Sequence, residues 1–202
     1  MQLRSMEAGF STRRVTLVHL VRHGRAGDGR WPLPSDASLT PEGQEEAQAA
    51  ATLLARYQGK AARICASDLP RCRETAEAIA GRLGGELVLE PGLREMEFGW
   101  EGESEQEVLR RIPAERLAAF LRDPALVDLP RAEPFRDFWQ RVQNSFQGCL
   151  AGAAGRPLVL VGHDGVNRVI ELIAAGLGPA DWSRAHPFRH GEVRRVAVRR
   201  GP

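Results

Sequence analysis

Apolar residues in this chain gather in short blocks, set apart by stretches of helical periodicity. Val15 to Val21 is mostly β-branched and aliphatic and predicts a buried strand, bounded by Gly24 and Gly27. A loop rich in turn residues follows, from Gly27 to Pro34. Thr40-Pro41-Glu42 then reads as a helix start, with Thr40 as N-cap, Pro41 at the first helical position and Glu42 at the positive end of the helix dipole. An alanine-rich stretch carries that helix to about Tyr57. Ala61 to Ala66 predicts a second strand. Asp68 and Pro70 open a second helix carrying Arg71, Thr75, Ile79 and Leu83, which ends at Gly84-Gly85; Leu87 to Leu89 predicts a third strand. Pro157 to Gly162 reads as a fourth, buried strand ending at His163, followed by a helix from about Val166 to Ala175. Valines alternating with arginines from Val193 to Arg199 predict a final edge strand with one solvated face.

The order strand, helix, strand, helix, strand predicts an α/β fold: a three-layer sandwich whose central, mostly parallel sheet is flanked by helices. The segment from Glu101 to Arg156 breaks this rhythm. Its helical stretches are divided by Pro113, Pro124, Pro130 and Pro134, and it reads as a helical insertion over the site. Residues 15–202 are expected to form a single domain, with 1–14 as a flexible N-terminal extension and Met6 as an alternative start.

Charge narrows the field of partners. Lys+Arg 28 against Asp+Glu 26 leaves a formal net charge of +2, which does not suggest a nucleic-acid binder. No stretch approaches the ~18 apolar residues of a membrane span, and the first residues lack an apolar run of signal-peptide length. A cytoplasmic location is therefore expected. Cys65, Cys72 and Cys149 lack metal-ligand spacing and read as reduced, packed side chains. Oligomeric state stays open, a homodimer included.

The candidate chemistry sits where strands end. Arg22-His23-Gly24 follows the first strand, Ser67 to Arg71 the second, Leu93-Arg94-Glu95 the third and Gly162-His163-Asp164-Gly165 the fourth. In a parallel sheet all four reach one edge, where open α/β sheets bind ligands. Histidine can attack phosphorus, arginine offers a fork matched to phosphate oxygens, and a carboxyl group can protonate a leaving oxygen. The set needs no metal or other cofactor. Glu97 and Glu101 rival Glu95 as the acid, while Arg73 and Arg94 read as surface residues. His19 reads as a core histidine, and His186 and His190 lie in a late loop without a third ligand for a metal. The four tryptophans read as packing residues, with Trp31 a candidate for the site entrance.

Taken in order, these segments resemble the histidine phosphatase superfamily, the phosphoglycerate-mutase-like proteins. Leu20-Val21-Arg22-His23-Gly24 matches the family's first signature. Asp36 through Leu39-Thr40 and Gly43 to Ala47 resembles its next pattern, with Glu46 in place of glutamine. Ser67 to Ala76 resembles S-x-L-x-R-A-x-x-T-A. Leu93 to Gly102 resembles L-R-E-x-x-F-G-x-W-E-G, short by one residue, and Val161 to Arg168 resembles the second-histidine motif. The resemblance implies that His23 is the nucleophile that becomes phosphorylated. It implies that Arg22 and Arg71 hold the phosphoryl oxygens, that His163 stabilises the transition state, and that Glu95 is the acid and then the base. Where many members continue R-H-G-E-T-x-x-N, this chain has Arg25 in place of the acid and lacks the asparagine. Arg25 is thus either a loop residue or a further substrate-binding cation at the mouth. The implied activity is hydrolysis of small phosphorylated metabolites through phosphohistidine. The alternatives are a cofactor-dependent phosphoglycerate mutase, and a silent phosphate-binding or protein-interaction module.

Overall fold

In the computed structural model, residues 15–27, 33–57 and 62–199 are described; the expected N-terminal extension, Trp31 and part of the first loop lie outside them. Thirteen elements follow one another. They are β1 (Val15–Arg22), α1 (Pro41–Tyr57), β2 (Arg63–Ala66), α2 (Pro70–Leu83), β3 (Glu86–Leu89), a 3-10 turn at Pro91–Leu93, α3 (Glu105–Leu109), α4 (Ala114–Arg122), α5 (Phe135–Ala153), β4 (Leu158–Gly162), α6 (Asp164–Ala174), a 3-10 stretch at Pro179–Arg184, and β5 (Val193–Arg199).

The five strands form one sheet in the order β3-β2-β4-β1-β5. The first four run parallel and β5 lies antiparallel against β1 at the edge. β4 lies in the middle and is buried throughout, as a strand covered on both faces must be. Its side chains alternate between two cores. Val159 and Val161 join Val21, Ile64 and Ala66 beneath Ala50, Ala51 and Leu54 of α1 and Ala76, Ile79 and Leu83 of α2. Leu158 and Leu160 join Val18, Leu20 and Cys65 beneath Phe138, Val142 and Phe146 of α5 and Val166, Val169 and Ile170 of α6. The small residues of α1 let it pack closely against α2.

Local signals explain the helix ends. Thr40 caps α1 by accepting from the Gly43 N–H at 3.1 Å, and Gly84 closes α2 at φ 66°, a backbone region that glycine enters without a Cβ penalty. Asp68 does not cap α2. The residue before Pro70 is Leu69, which makes no side-chain cap, and the Asp68 carboxylate is held by Arg94 instead. The helical insertion is also shorter than expected. α3 and α4 belong to it, but α5 is a flanking helix of the sandwich, buried along Phe138, Val142 and Phe146.

Candidate active site

Sheet register places the two histidines. Arg22 of β1 pairs with Gly162 of β4, so the next residues, His23 and His163, leave neighbouring strands at the same level. The His23 N–H donates to the Gly162 carbonyl at 3.0 Å, and the two rings meet edge to face with centroids 5.1 Å apart. β2 brings the third group. Ala66 pairs with Val161, and Ser67 beyond it sets its Oγ 3.2 Å from His163 Nε2. Both histidines are buried.

Ring chemistry follows from the partners. His23 Nδ1 lies 2.7 Å from the Gly24 carbonyl oxygen. A carbonyl only accepts, so this contact places the proton on Nδ1 and leaves the Nε2 lone pair as the nucleophilic position. Burial, followed by the Arg71 and Arg22 guanidinium groups, holds the ring well below the usual imidazole range. His163 is depressed in the same direction by burial, then by His23 and Arg71. Both rings are thus neutral near pH 7.

Two arginines bring guanidinium groups to this space. Arg71, in the first turn of α2, is buried and donates Nη1 to the Pro34 carbonyl at 3.2 Å. Arg22 donates Nη1 to the Phe188 carbonyl at 2.6 Å. The Nε of each is buried without a hydrogen-bond partner. Two guanidinium groups on the wall of one cavity suit an oxyanion that accepts from both.

Glu95 closes the group from the segment after β3. Its carboxylate accepts from the Met96 N–H at 3.0 Å and from the Gly165 N–H in the first turn of α6 at 3.2 Å. A Cβ at Gly165 would stand 2.5 Å from Glu95 Oε1, so the bare glycine leaves room for the carboxylate. Burial, opposed by these N–H groups, pushes the Glu95 carboxyl above the usual range. The loop that carries His23 is seated as tightly. Gly24 and Gly43 face each other so closely that a Cβ on Gly24 would overlap the Gly43 carbonyl and one on Gly43 would overlap that of Arg25, and the Gly24 N–H donates to Thr75 Oγ1 at 3.2 Å.

Arg22, His23, Arg71, Glu95 and His163 all line one cavity of about 530 Å³. Arg25 is not among the lining residues. Its side chain is exposed and paired with Glu42 at 3.2 Å, and its N–H donates to Glu46. Glu97 and Glu101 reach the same wall, but Glu101 Oε1 is taken by the N–H groups of Phe98 and Gly99. Arg94 also lines the cavity while forming a two-point pair with Asp68.

Three residues escaped the sequence reading of the site. Ser67 lay inside a quoted motif, but nothing in the motif shows that it meets His163. His190, half-buried, sets its ring 5.5 Å from His23, brought there because the Gly191 N–H donates to the carbonyls of Arg22 and His23. Arg141 of α5 holds Glu133 through two bonds of 2.9 and 2.6 Å and donates to the carbonyls of Gly92, Arg94 and Glu95. It thereby fixes the backbone that carries the carboxyl group. No local pattern in the sequence announces either contact.

The arrangement brings two neutral imidazoles, two guanidinium groups and a carboxyl group to one partly buried space. The profile of the histidine phosphatase superfamily (branch 1) matches residues 18–201. The chain is 31% identical over 194 residues to the probable phosphoglycerate mutase GpmB of Erwinia tasmaniensis, covering 92% of this chain and 86% of that one. It is 29% identical over 180 residues to the probable 2-carboxy-D-arabinitol-1-phosphatase of Arabidopsis thaliana, covering 86% of this chain but 36% of that longer protein. The solved structure of a mycobacterial glucosyl-3-phosphoglycerate phosphatase superposes with a TM-score of 0.79 at 25% identity, over 91% of each chain. With the profile spanning nearly all of the described fold, the chain belongs to the histidine phosphatase superfamily, branch 1.

Proposed function

We propose that this protein hydrolyses small phosphate monoesters through a covalent phosphohistidine, with His23 as nucleophile. The observation that carries this reading is the Nδ1 contact of His23 with the Gly24 carbonyl, 2.7 Å long, which leaves Nε2 unprotonated in a cavity that Arg22 and Arg71 also line. In the first step Nε2 forms a bond to phosphorus and the ester P–O bond breaks. Its electron pair stays on the leaving oxygen, which takes the proton of Glu95. Arg22 and Arg71 neutralise the phosphoryl oxygens as charge spreads over them, and His163 sits beside the same centre. In the second step water attacks phosphorus and gives its proton to the Glu95 carboxylate. The P–N bond breaks, its electrons return to Nε2, and inorganic phosphate leaves.

A raised carboxyl pKa suits Glu95 to both roles, as acid first and base second. Hydrolysis is favoured over phosphoglycerate interconversion by the short, proline-broken segment between Gly102 and Arg156. The relative named as a probable mutase makes phosphate release the decisive readout. The test is hydrolysis of p-nitrophenyl phosphate in excess EDTA, with wild type beside His23→Ala. Metal-free release of phosphate that falls at least about 10⁴-fold in the variant supports the reading. Turnover that needs added metal, or that survives in His23→Ala, overturns it.

A further inference from the structure

The cavity is larger than a phosphoryl group requires. At about 530 Å³ it lies within the span of small-molecule sites, roughly 300–1,000 Å³, so most of its space must receive the alcohol part of the ester. Away from the groups already described, its wall is mainly apolar. Phe98 and Phe120 meet edge to face at 6.1 Å, and Phe135 and Trp182 at 5.2 Å; Met96 and Leu121 complete this surface. Leu121 lines the cavity with 46% of its surface still exposed, an apolar side chain with nothing yet packed over it.

Charge on the same wall argues in the same direction. Besides Arg22 and Arg71, the described cations lining the cavity are Arg94 and Arg168. Arg94 is neutralised by the two-point pair with Asp68. Arg168 stacks on the Trp182 ring at 3.7 Å, donates Nη2 to the Ala185 carbonyl at 3.2 Å and lies 3.6 Å from Asp164. Its Nε alone lacks a partner. Glu97 and Glu101 add negative charge to the wall. A carboxylate on the leaving group would meet two carboxylates and cations already paired.

We infer that the alcohol part of the substrate is uncharged and largely apolar, an aromatic or bulky aliphatic alcohol rather than a hydroxy acid. The inference rests on the hydrolase reading for the seat of the phosphate. It sets this chain apart from relatives whose names specify phosphoglycerate or 2-carboxy-arabinitol phosphate.

The test uses wild-type protein and calorimetric binding of three phosphonates that cannot be hydrolysed: methylphosphonate, benzylphosphonate and 3-phosphonopropionate. Benzylphosphonate is expected to bind at least about tenfold tighter than methylphosphonate, since a phenyl ring buries apolar area against this wall. The carboxylated compound is expected to bind no tighter than methylphosphonate. In Leu121→Gln, an exposed position that keeps the charge constant, the advantage of benzylphosphonate over methylphosphonate should shrink toward equality. Equal affinities, no binding by benzylphosphonate, or tightest binding by 3-phosphonopropionate would overturn the inference, and the last would mark Arg168 Nε as a carboxylate donor. Because the readout is binding, a failure of turnover counts against the hydrolase reading alone.

Discussion

The strand ends and the segment from Met96 to Glu133 wall the same cavity, yet different forces set their positions. Arg22, His23 and His163 follow residues paired in the sheet, and a one-residue slip in that register would turn every side chain of the strand to the opposite face. The segment from 96 to 133 contains no strand among its described residues. It is held by aromatic packing, by the Glu133 N–H donating to the Glu97 carbonyl at 2.7 Å, and by the Arg141–Glu133 pair. A framework that cannot slip suits groups whose spacing decides a reaction. A wall held by side-chain packing can change shape while leaving the sheet intact. On the proposed reading, the type of reaction belongs to the sheet, and the choice of substrate belongs to the insertion.

Replacing Glu95, which hangs from the second region but acts with the first, would break this division most sharply. Glu95→Gln is expected to lose about 10²–10⁴-fold in kcat on alkyl phosphates. In the phosphorylation step the loss should be smaller with p-nitrophenyl phosphate, whose leaving oxygen needs little help from an acid. The pH profile gives a second check. The attacking form needs His23 neutral and Glu95 protonated. Since burial lowers the first pKa and raises the second, phosphorylation by wild type should fall as pH rises through the elevated Glu95 pKa. Pre-steady-state rates in Glu95→Gln should lose that alkaline limb; a limb that persists assigns it to another group.

Arg141 measures how far the wall positions the acid. Arg141→Ala frees the carbonyls of Gly92, Arg94 and Glu95 and leaves Glu133 unpaired. A shift of the Glu95 backbone should cost about 10–100-fold in kcat, with KM nearly constant. Arg141→Lys should restore little, because an ammonium group cannot reproduce the forked pair and reach three carbonyls together. Unchanged kcat in the alanine variant would reduce Arg141 to a structural brace.

The smallest effect is expected at Arg25, which stands next to the nucleophile loop in sequence and outside the cavity in space. Arg25→Ala should change kcat/KM by less than about twofold, as for an exposed ion pair. A larger loss, steepening at low salt, would make Arg25 a cation that reaches substrate at the mouth.

The two regions also differed in how much the sequence disclosed. Strands, helix starts and four converging loops were legible because each signal is local: a β-branched run into Arg22-His23-Gly24, Thr40-Pro41 at the head of α1, and Gly84 after α2. The boundary of the insertion was not. Prolines divide α3, α4 and α5 alike, and only packing against the sheet separates α5 from the others. His190 and Arg141 stayed hidden because their contacts are made across folded surfaces, one by the return of the chain into β5 and the other across α5 to the segment after β3. The wall residues Phe98, Phe120 and Phe135 carry no local signal that separates them from core, and only the cavity shows what they face.

The pairing of β1 carries a consequence for the order of assembly during synthesis. The strand that delivers His23 has no sheet partner among the described residues made soon after it; its neighbours are Leu158–Gly162 and Val193–Arg199. As the chain leaves the ribosome, the helices between can form locally, while β1 waits for sequence-distant contacts that are slow to close. The histidine pair and the His190 contact therefore arise only after β4 and the chain leading into β5 have been made, and a nascent chain stopped before β4 carries His23 without His163 beside it.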